Sequence, residues 1–374
     1  MSLVDLIVSE NYIYLLLSIM TSKALSIWII LGLFVCHDLS AQQIELQYIG
    51  RILEVGTNSV DAFMNKPCDI DGDSKGNYYV LETGGCQVKK FDKNLKYIKS
   101  FGRFGKGPGE FIRPSSIFID DNDRIYVGDG MQSKILVFDV DGRYLEAISV
   151  SKTELIFKIL KNGNMIFRNP IAGVRADKKL SLLHIVDSDG KVIQKIGEGK
   201  IFKKTRLAIG GNRFRFDVDK TGNIAVVFLF QNRIEKFDSS GELQFSIQRE
   251  ISPKMVTYKK ENAYYALTKG VSFDKKGRLW NLERVKRPTR PNREDYEKAR
   301  QNGLQRPDMS KLDLPEKTDQ FALDIYDQEG LRLNRHNLVH YCDNLRIIGD
   351  KLFVCDTEVA MDFFVYQIIE KVSQ

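Results

Sequence analysis

The sequence predicts an all-β fold that is built from six copies of one four-stranded antiparallel unit. The unit is clearest between Phe101 and Leu145, where short apolar runs are separated by tight turns rich in Asp, Asn and Gly. Two turn patterns from this unit recur along the chain. Short apolar runs joined by such turns are typical of small antiparallel sheets.

The first turn pattern joins the first and second strands of a unit. It is a short polar or Gly-containing turn followed at once by an apolar run, as in Lys75–Val80. Further copies lie at 122–127, 162–167, 221–226, 276–280 and 349–354. Asp and Asn accept turn geometry and Gly supplies positive φ, so this composition predicts six turns of one kind.

The second turn pattern, an aromatic residue followed by Asp-x-x-Gly, comes after the third strand. Complete or altered copies occur at Phe91–Asn94, Phe138–Gly142, Val186–Gly190, Phe237–Gly241 and Tyr326–Gly330. The sixth copy, around Tyr366, lacks the turn residues. Six irregular repeats of four strands predict a six-bladed β-propeller of four-stranded antiparallel blades. The recurring aromatic residues are then expected to pack between blades.

The two ends of the chain are expected to close the ring of blades. The last blade has three strands of its own, around Leu345–Ile348, Lys351–Cys355 and Phe363–Ile368. Its fourth strand should come from Ile44–Tyr48, so that an N-terminal strand joins the last blade. This pairing would remove an open sheet edge.

The segments GKGPGEF, IFID, RIYVGD and KILVFDVDG, which lie between Gly105 and Gly142, together resemble an NHL repeat. Residues 42–374 are similar as a whole to the six-bladed propellers of the NHL superfamily, especially to exported bacterial propellers of undefined role. The resemblance is strongest in the second blade and weakest in the third and fifth. It implies a binding or interaction module. Some propeller lyases and lactonases hold a metal at the axis, and a metal-dependent lyase or lactonase with an axial site is the alternative.

The N-terminal segment predicts export. Lys23 precedes Ala24–Val35, twelve residues without a charge, and Leu39–Ala41 supplies small residues before Gln42. A basic start, an apolar stretch of this length and small residues before the cleavage point are typical of a signal peptide. We therefore expect 1–41 to be an upstream extension plus signal peptide, and 42–374 to be a periplasmic or cell-surface propeller.

No stable membrane span is expected after cleavage of this segment. A retained anchor between Tyr12 and Val35, and lipid attachment at Cys36, are the alternatives. The chain carries a net charge of +7 that is spread along its length, which favours solubility and does not identify a partner. Because export removes the protein from nucleic acids, no nucleic-acid partner is expected.

Four cysteines follow the predicted cleavage point, and an exported chain can pair them. Cys342 and Cys355 flank the turn at Gly349-Asp350, and Cys68 and Cys86 bracket another hairpin. The spacing therefore predicts the disulfides Cys68–Cys86 and Cys342–Cys355, with four buried thiols as the alternative. A zinc site is disfavoured, because the chain has 4 His and no C-x-x-C motif.

The functional site is expected on the face where the first, inner strand of each blade begins, here called the top face. This face carries the links between blades and the connections from the second to the third strands. The opposite, bottom face carries the short turns. The top connections are long and include an insertion in blade five at about 284–319. Long connections on a rigid scaffold are where binding sites usually lie.

The top connections are rich in Lys, Arg and Tyr. The candidate ligand-binding residues are Arg168, Arg175, Lys204, Arg206, Arg213, Tyr258, Arg284 and Arg287. Guanidinium groups suit carboxylate and phosphate, so a basic top face predicts an anionic ligand, either an extracytoplasmic protein or an anionic glycan. A solvated loop surface and a purely scaffolding role are the alternatives.

The sequence predicts no catalytic residue and no cofactor. If a metal is bound, His336 and His340 in the link into the sixth blade are the first candidates. The segment Gly105–Phe111 is not a phosphate-binding loop, because it lacks the Lys-Ser/Thr ending and the following helix. The carboxylates that end second strands are expected to accept hydrogen bonds from loop amides; they are Glu82, Asp129, Glu283 and Asp356.

Overall fold

The computed structural model describes residues 43–53, 60–150, 156–169, 179–201, 211–249, 266–286, 297, 300–302, 318–357 and 360–371. The described residues divide into two compact units, 43–45 with 370 and 371, and 46–369. In the smaller unit, Nζ of Lys371 lies 2.7 Å from Oε1 of Glu45. The larger unit contains all of the sites discussed below.

The first three blades are consecutive along the chain. Blade one consists of β2 (Pro67–Gly72), β3 (Tyr78–Glu82), β4 (Gln87–Phe91) and β5 (Tyr97–Phe101). Blade two consists of β6 (Pro114–Ile119), β7 (Ile125–Asp129), β8 (Lys134–Phe138) and β9 (Tyr144–Ser149). Blade three consists of β10 (Phe157–Ile159), β11 (Met165–Arg168), β12 (Ser181–Val186) and β13 (Val192–Glu198). A 3-10 helix, Val60–Ala62, precedes the first blade.

The last three blades have the same order of strands. Blade four consists of β14 (Phe214–Val218), β15 (Ile224–Phe228), β16 (Arg233–Phe237) and β17 (Leu243–Gln248). Blade five consists of β18 (Thr268–Phe273), β19 (Leu279–Arg284), β20 (Phe321–Tyr326) and β21 (Arg332–Leu338). Blade six consists of β22 (Asn344–Ile348), β23 (Lys351–Asp356), β24 (Asp362–Lys371) and β1 (Gln43–Arg51).

The six sheets confirm the predicted all-β propeller, and β1 confirms the predicted closure of the last blade. Inner strands of neighbouring blades contact each other from β2 through β6 to β10, and from β14 through β18 and β22 back to β2. The ion pair between Lys158 and Asp217 joins β10 to β14. In the described part of the chain, no helix reaches the length and apolarity that a bilayer crossing requires.

An Asp side chain organises each of the two recurring turns. Oδ1 of Asp73 accepts hydrogen bonds from the amides of Lys75 and Asn77, at 3.0 and 2.8 Å. Asp139 accepts the corresponding pair after a third strand, from Asp141 and Arg143, both at 2.9 Å. Because the side chain replaces a backbone acceptor, these turns form from local sequence alone.

The apolar core lies between neighbouring blades. The aromatic residues that precede the second turn pattern are buried there; they are Phe91, Phe138, Phe237 and Tyr326. Phe138, for example, packs with Ile117, Val127 and Phe111 between blades one and two. These rings therefore serve blade packing, as predicted.

The two predicted disulfides are corrected by the structure, in which Cys68, Cys86, Cys342 and Cys355 are free thiols. Strand β3 lies between β2, which carries Cys68, and β4, which follows Cys86. Two strand spacings amount to about 10 Å, too far for a disulfide. In blade six, Cys355 pairs with Asn344, so Cys342 lies two residues beyond the position opposite it.

The connection between the second and third strands of blade five runs from Val285 to Gln320, between β19 and β20. This is where the sequence predicts an insertion. Of the part that the structure describes, Glu297, Arg300 and Gln301 are helical.

Candidate functional site

Six equivalent positions, one on each inner strand, surround the axis of the propeller. In blades one to five this residue pairs with the second residue of the second strand, as Asp71 does with Tyr79. In blade six Arg346 pairs with Phe353, because β23 begins one residue earlier. We call this set the axial ring; its members are Asp71, Phe118, Lys158, Asp217, Ser272 and Arg346.

All six members of the axial ring line one cavity of about 730 Å³, here called the axial cavity. Its rim is formed by the short turns between first and second strands, including Asn122, Asn162 and Thr221. It therefore opens on the bottom face, whereas the sequence placed the expected site on the top face. The volume lies within the range of about 300–1,000 Å³ that is usual for ligand pockets.

Two ion pairs cross between blades at the axis. Nζ of Lys158 lies 3.0 Å from Oδ1 of Asp217, and Nε of Arg346 lies 3.1 Å from Oδ1 of Asp69. Burial alone would raise the pKa of Asp217, but the charges of Lys158 and Arg346 outweigh it and lower that pKa. Burial likewise opposes the charge of Arg346, yet Asp69 and Asp217 raise the pKa of its guanidinium. Both shifts favour the charged forms of Asp217 and Arg346 in the folded protein.

The axial carboxylates also brace neighbouring blades. Oδ2 of Asp71 accepts the amide of Ile119 at 2.9 Å, and Oδ2 of Asp217 accepts the amide of Phe273 at 2.9 Å. An inner strand is a sheet edge, and its free amides need acceptors. In both cases an Asp side chain on the preceding blade supplies the acceptor.

Three guanidinium groups lie near the top end of β14, the inner strand of blade four: Arg168 ends β11, the second strand of blade three, Arg213 directly precedes β14, and Arg215 is its second residue. Nη1 of Arg168 donates to the carbonyl of Phe214 at 3.3 Å. Burial, followed by the charges of Arg215 and Arg213, lowers the pKa of Arg168 to about 10. We call Arg168, Arg213 and Arg215 the arginine cluster.

Arg215 is the member of the arginine cluster that the sequence reasoning missed. Burial, with the nearby charge of Arg346, lowers the pKa of Arg215, although Asp69 opposes this effect. Among the described residues its side chain has no hydrogen-bond or ion-pair partner. The sequence pattern that could have identified it is the alternation of charged and aromatic residues in Arg213-Phe214-Arg215-Phe216-Asp217. In a strand this alternation places the charged side chains together on one side.

The other predicted ligand-binding residues are not part of this cluster. Arg284 ends β19, and its guanidinium lies 5.2 Å from the ring centroid of Phe321. Five further residues lie outside the described part of the chain; they are Arg175, Lys204, Arg206, Tyr258 and Arg287.

The two candidate metal-binding histidines lie away from the axis. His336 belongs to β21, the outermost strand of blade five, where the sequence had placed it in a link. His340 does lie in the link, but its ring stacks on Phe364 at 3.8 Å and its Nδ1 is 2.6 Å from the hydroxyl of Tyr366. The position of His340 therefore suits packing against blade six.

The axial carboxylates do not fit a metal site either. Asp69, Asp71 and Asp217 approach the axis, but Lys158 and Arg346 stand among them. A metal cation would meet two fixed positive charges at this place. Within the described ranges, no group of three or more His, Cys, Asp and Glu side chains is arranged to hold a metal ion.

The carboxylates that end the second strands mostly take the predicted structural role. Oε1 of Glu82 accepts the amide of Asn65 at 2.8 Å, and Oδ2 of Asp129 accepts that of Ile112 at 2.6 Å. Asp356 accepts the amide of Ala360 at 2.9 Å. Glu283 differs, because it accepts a hydrogen bond from the guanidinium of Arg335 at 3.0 Å.

Comparison with curated proteins finds two partial relatives. The chain is 33% identical over 93 residues to the Caenorhabditis elegans protein named Probable peptidyl-alpha-hydroxyglycine alpha-amidating lyase pgal-1, covering 24% of this chain and 27% of that protein. It is 24% identical over 200 residues to human NHL repeat-containing protein 3, covering 51% and 55%. The chain thus spans about a quarter and about half of the length of these relatives.

Among solved structures, a Bacteroides fragilis protein described as exported has the same fold. The TM-score is 0.55 at 14% identity, with 88% of this chain and 96% of that chain covered. A family model described as 6-bladed beta-propeller matches residues 72–263, just over half of the sequence. This match, the six four-stranded sheets and the NHL relative agree, and the chain belongs to the 6-bladed beta-propeller family, as a member of NHL type.

Proposed function

We propose that this protein is an extracytoplasmic binding module that takes an anionic ligand at the arginine cluster. The observation that carries this proposal is the state of Arg215. Its half-buried guanidinium has no hydrogen-bond or ion-pair partner in the described part of the chain, while Arg168 and Arg213 lie beside it. Each of the three positive charges disfavours the charged form of the other two guanidinium groups.

A bound anion would offset the repulsion among these three guanidinium groups. A carboxylate or phosphate can accept two parallel hydrogen bonds from one guanidinium and can neutralise its neighbours at the same time. Arg168 is held in place by its hydrogen bond to Phe214, which limits the ordering that a ligand would require. The ligand classes that suit this site are an anionic glycan and an acidic segment of an extracytoplasmic protein.

The extracytoplasmic location belongs to the same proposal. It rests on the pattern of Lys23, the apolar stretch Ala24–Val35 and the small residues up to Ala41. An export signal of this kind would bring the propeller into contact with glycans and with the surfaces of other exported proteins, in the periplasm or at the cell surface.

A titration with hexagalacturonate, which carries one carboxylate per sugar, tests the proposal. We expect isothermal titration calorimetry to detect binding to the wild type, and Arg215→Gln to weaken it by at least about tenfold. Arg143→Gln, at an exposed position on the bottom face, is the matched control. Neutral maltohexaose should not bind.

Two results would count against the glycan. Equal affinity of the wild type and Arg215→Gln would remove the arginine cluster from the interaction. Binding of an oligoglutamate peptide in its place, again lost in Arg215→Gln, would assign the site to an acidic protein segment.

An enzyme is the second candidate, since the match to the C. elegans protein named as a lyase is 33% identical over its 93 residues. The observation that weighs against a metal-dependent lyase or lactonase is the position of Lys158 and Arg346 among the axial carboxylates. Elemental analysis of the purified protein separates the two candidates. One tightly held metal ion per chain would favour the enzyme.

A further inference from the structure

A second layer of side chains faces the axis above the axial ring, on the side of the top face. These residues lie two positions before members of the axial ring, so they share the side of the inner strand that faces the axis. Arg215, for example, pairs with Val227, and Asn344 pairs with Cys355. We call this set the upper ring; its described members are Asp69, Ser116, Arg215, Gly270 and Asn344.

Two members of the upper ring, Arg215 and Asn344, carry hydrogen-bonding groups that no described residue uses. We propose that the ligand of the arginine cluster is a glycan that contains uronic acid. Its carboxylate binds Arg215, and a hydroxyl group of the same sugar residue binds the side-chain amide of Asn344. This assignment rests on the proposed function and names the ligand class of the same site.

Asn344 is buried without a partner. It is 7% exposed, and its side-chain amide makes no hydrogen bond to any residue that the structure describes. A buried amide without a partner costs free energy, and buried polar side chains normally have one. Because an amide both donates and accepts, a hydroxyl group, which does the same, is a suitable partner for it.

Gly270 leaves the upper ring open between Arg215 and Asn344. Strand β18 lies between β14 and β22, and Gly270 is its member of the upper ring. A Cβ atom at Gly270 would lie 3.1 Å from Oδ1 of Asn344 and 2.9 Å from the amide nitrogen of Leu345. The amide of Asn344 therefore lies against the backbone of Gly270. In the upper ring, blade five thus places no side chain between Asn344 and Arg215.

The ion pairs around the upper ring leave Arg215 as the group for a ligand to neutralise. Nε of Arg346 lies 3.1 Å from Oδ1 of Asp69, and Nζ of Lys269 lies 2.9 Å from Oδ1 of Asp343. Both cations are therefore matched by carboxylates. Arg215 has no ion pair within the described ranges, so a carboxylate is the ligand group that suits this position.

Asp71 does not cancel the charge of Arg215. It lies one layer deeper, where it lines the axial cavity, and burial raises its pKa, although Lys158 opposes this effect. On the side of the top face, Arg168 and Arg213 add positive charge near Arg215. The top end of the axis therefore favours an anion.

A uronic acid suits this arrangement better than an acidic peptide does. One sugar residue presents its carboxylate and its hydroxyl groups on the same small ring. A glutamate side chain has no hydroxyl group, and two methylene groups separate its carboxylate from the backbone. A site that binds a hydroxyl group discriminates against analogues that lack it, because the polar group of the site then stays unpaired.

Three hexamers test the assignment on the wild-type protein: hexagalacturonate, its fully methyl-esterified form and hexaglutamate. We expect calorimetry to find hexaglutamate, which has the charges without the hydroxyl groups, at least about fivefold weaker than hexagalacturonate. The methyl ester, which has the hydroxyl groups without the charges, should be at least about tenfold weaker. In ¹H–¹⁵N spectra, hexagalacturonate should shift the side-chain amide of Asn344.

Two variants then isolate the amide. Asn344→Leu should weaken binding of hexagalacturonate by about fivefold and leave binding of hexaglutamate within about twofold. Asn281→Leu is the matched control, because Asn281 is also buried with an unpartnered amide but lies on β19, the second strand of blade five. It should leave both affinities unchanged. Without ligand, Asn344→Leu should be at least as stable as the wild type, since it removes an unpaired buried amide.

The assignment is overturned if hexaglutamate binds as tightly as hexagalacturonate, or if Asn344→Leu binds hexagalacturonate as the wild type does. An unshifted side-chain amide of Asn344 would also overturn it, and this readout needs no variant. In each of these cases, loss of binding in Arg215→Gln would leave the arginine cluster as the anion site. Failure of both polymers to bind the wild type would remove the proposed function as well.

Discussion

Lys158 and Asp217 form an ion pair between the inner strands of blades three and four, with 3.0 Å between Nζ and Oδ1 and side chains that are only 12% and 8% exposed. The second oxygen of Asp217 accepts the amide of Phe273 on blade five. One carboxylate therefore joins three consecutive blades. It does so beside β10, which is three residues long and the shortest of the inner strands described.

Removal of this lysine should destabilise the propeller. Lys158→Met would leave Asp217 buried beside fewer positive charges, so we expect the free energy of unfolding to fall by about 3 kcal/mol. Urea denaturation measures the change, and Lys220→Met, at an exposed position on the rim, is the control. The double variant Lys158→Met/Asp217→Asn should recover part of the loss. If Lys158→Met is as stable as Lys220→Met, the ion pair between Lys158 and Asp217 does not stabilise the fold as a buried pair should.

Substitution of Arg215 should stabilise the protein, whereas Lys158→Met should destabilise it. Because its half-buried charge lies near Arg346 and Arg213, we expect Arg215→Gln to raise the free energy of unfolding by about 1 kcal/mol without ligand. Thermal melts at low ionic strength should show the gain, and added salt should reduce it. The charges of Asp69 and Asp343 act on Arg215 in the opposite direction. A loss of stability would mean that their attraction outweighs the repulsion from Arg346 and Arg213.

Glu283 should make stability depend on pH. Arg335 donates to Glu283 at 3.0 Å and to Asp324 at 2.7 and 2.8 Å, so two carboxylates share one guanidinium. Burial raises the pKa of Glu283 to about 7; Arg249 opposes this effect, and Asp324 adds to it. The folded protein therefore holds a proton that an unfolded glutamate, with its ordinary pKa of 4.5, has released.

This contribution to stability is fully present below about pH 4.5 and is lost as the pH rises through about 7. We therefore expect Glu283→Gln, which cannot titrate, to gain stability relative to the wild type between about pH 5 and about pH 8. Urea midpoints across this range provide the measurement. Glu242→Gln, at an exposed turn, should remain parallel to the wild type, and equal slopes for all three proteins would refute the assignment.

The cysteines should be reduced and slow to react. Burial raises the pKa of Cys68 to about 12, and it raises the pKa values of Cys342 and Cys355 well above their ordinary range. Since the thiolate is the reactive form, a disulfide-exchange reagent at about pH 8 should label the folded protein slowly. After unfolding without reductant, all four thiols of residues 42–374 should react. If only two or fewer thiols react, the protein contains at least one disulfide and the correction above is wrong.

The strands, the turns and their number were predictable from the sequence because they depend on neighbours a few positions apart. Asp139, for example, binds amides two and four residues ahead, and Phe138 is buried because it precedes such a turn on an alternating strand. Arg168 and Arg213 were also found from sequence, since long top connections collect basic side chains. The closing strand near Ile44 followed from the need to remove a sheet edge.

The axial site was not predictable in this way. Asp69 and Arg346 are 277 positions apart, and they meet only because the ring closes with blade six beside blade one. Strand spacing likewise separates Cys68 from Cys86, although the two lie close in sequence. Local patterns determined what each blade is, because turn and strand preferences act over a few residues. The tertiary structure decided which charges share the axis, because that depends on the order and angle of blades that local sequence does not encode.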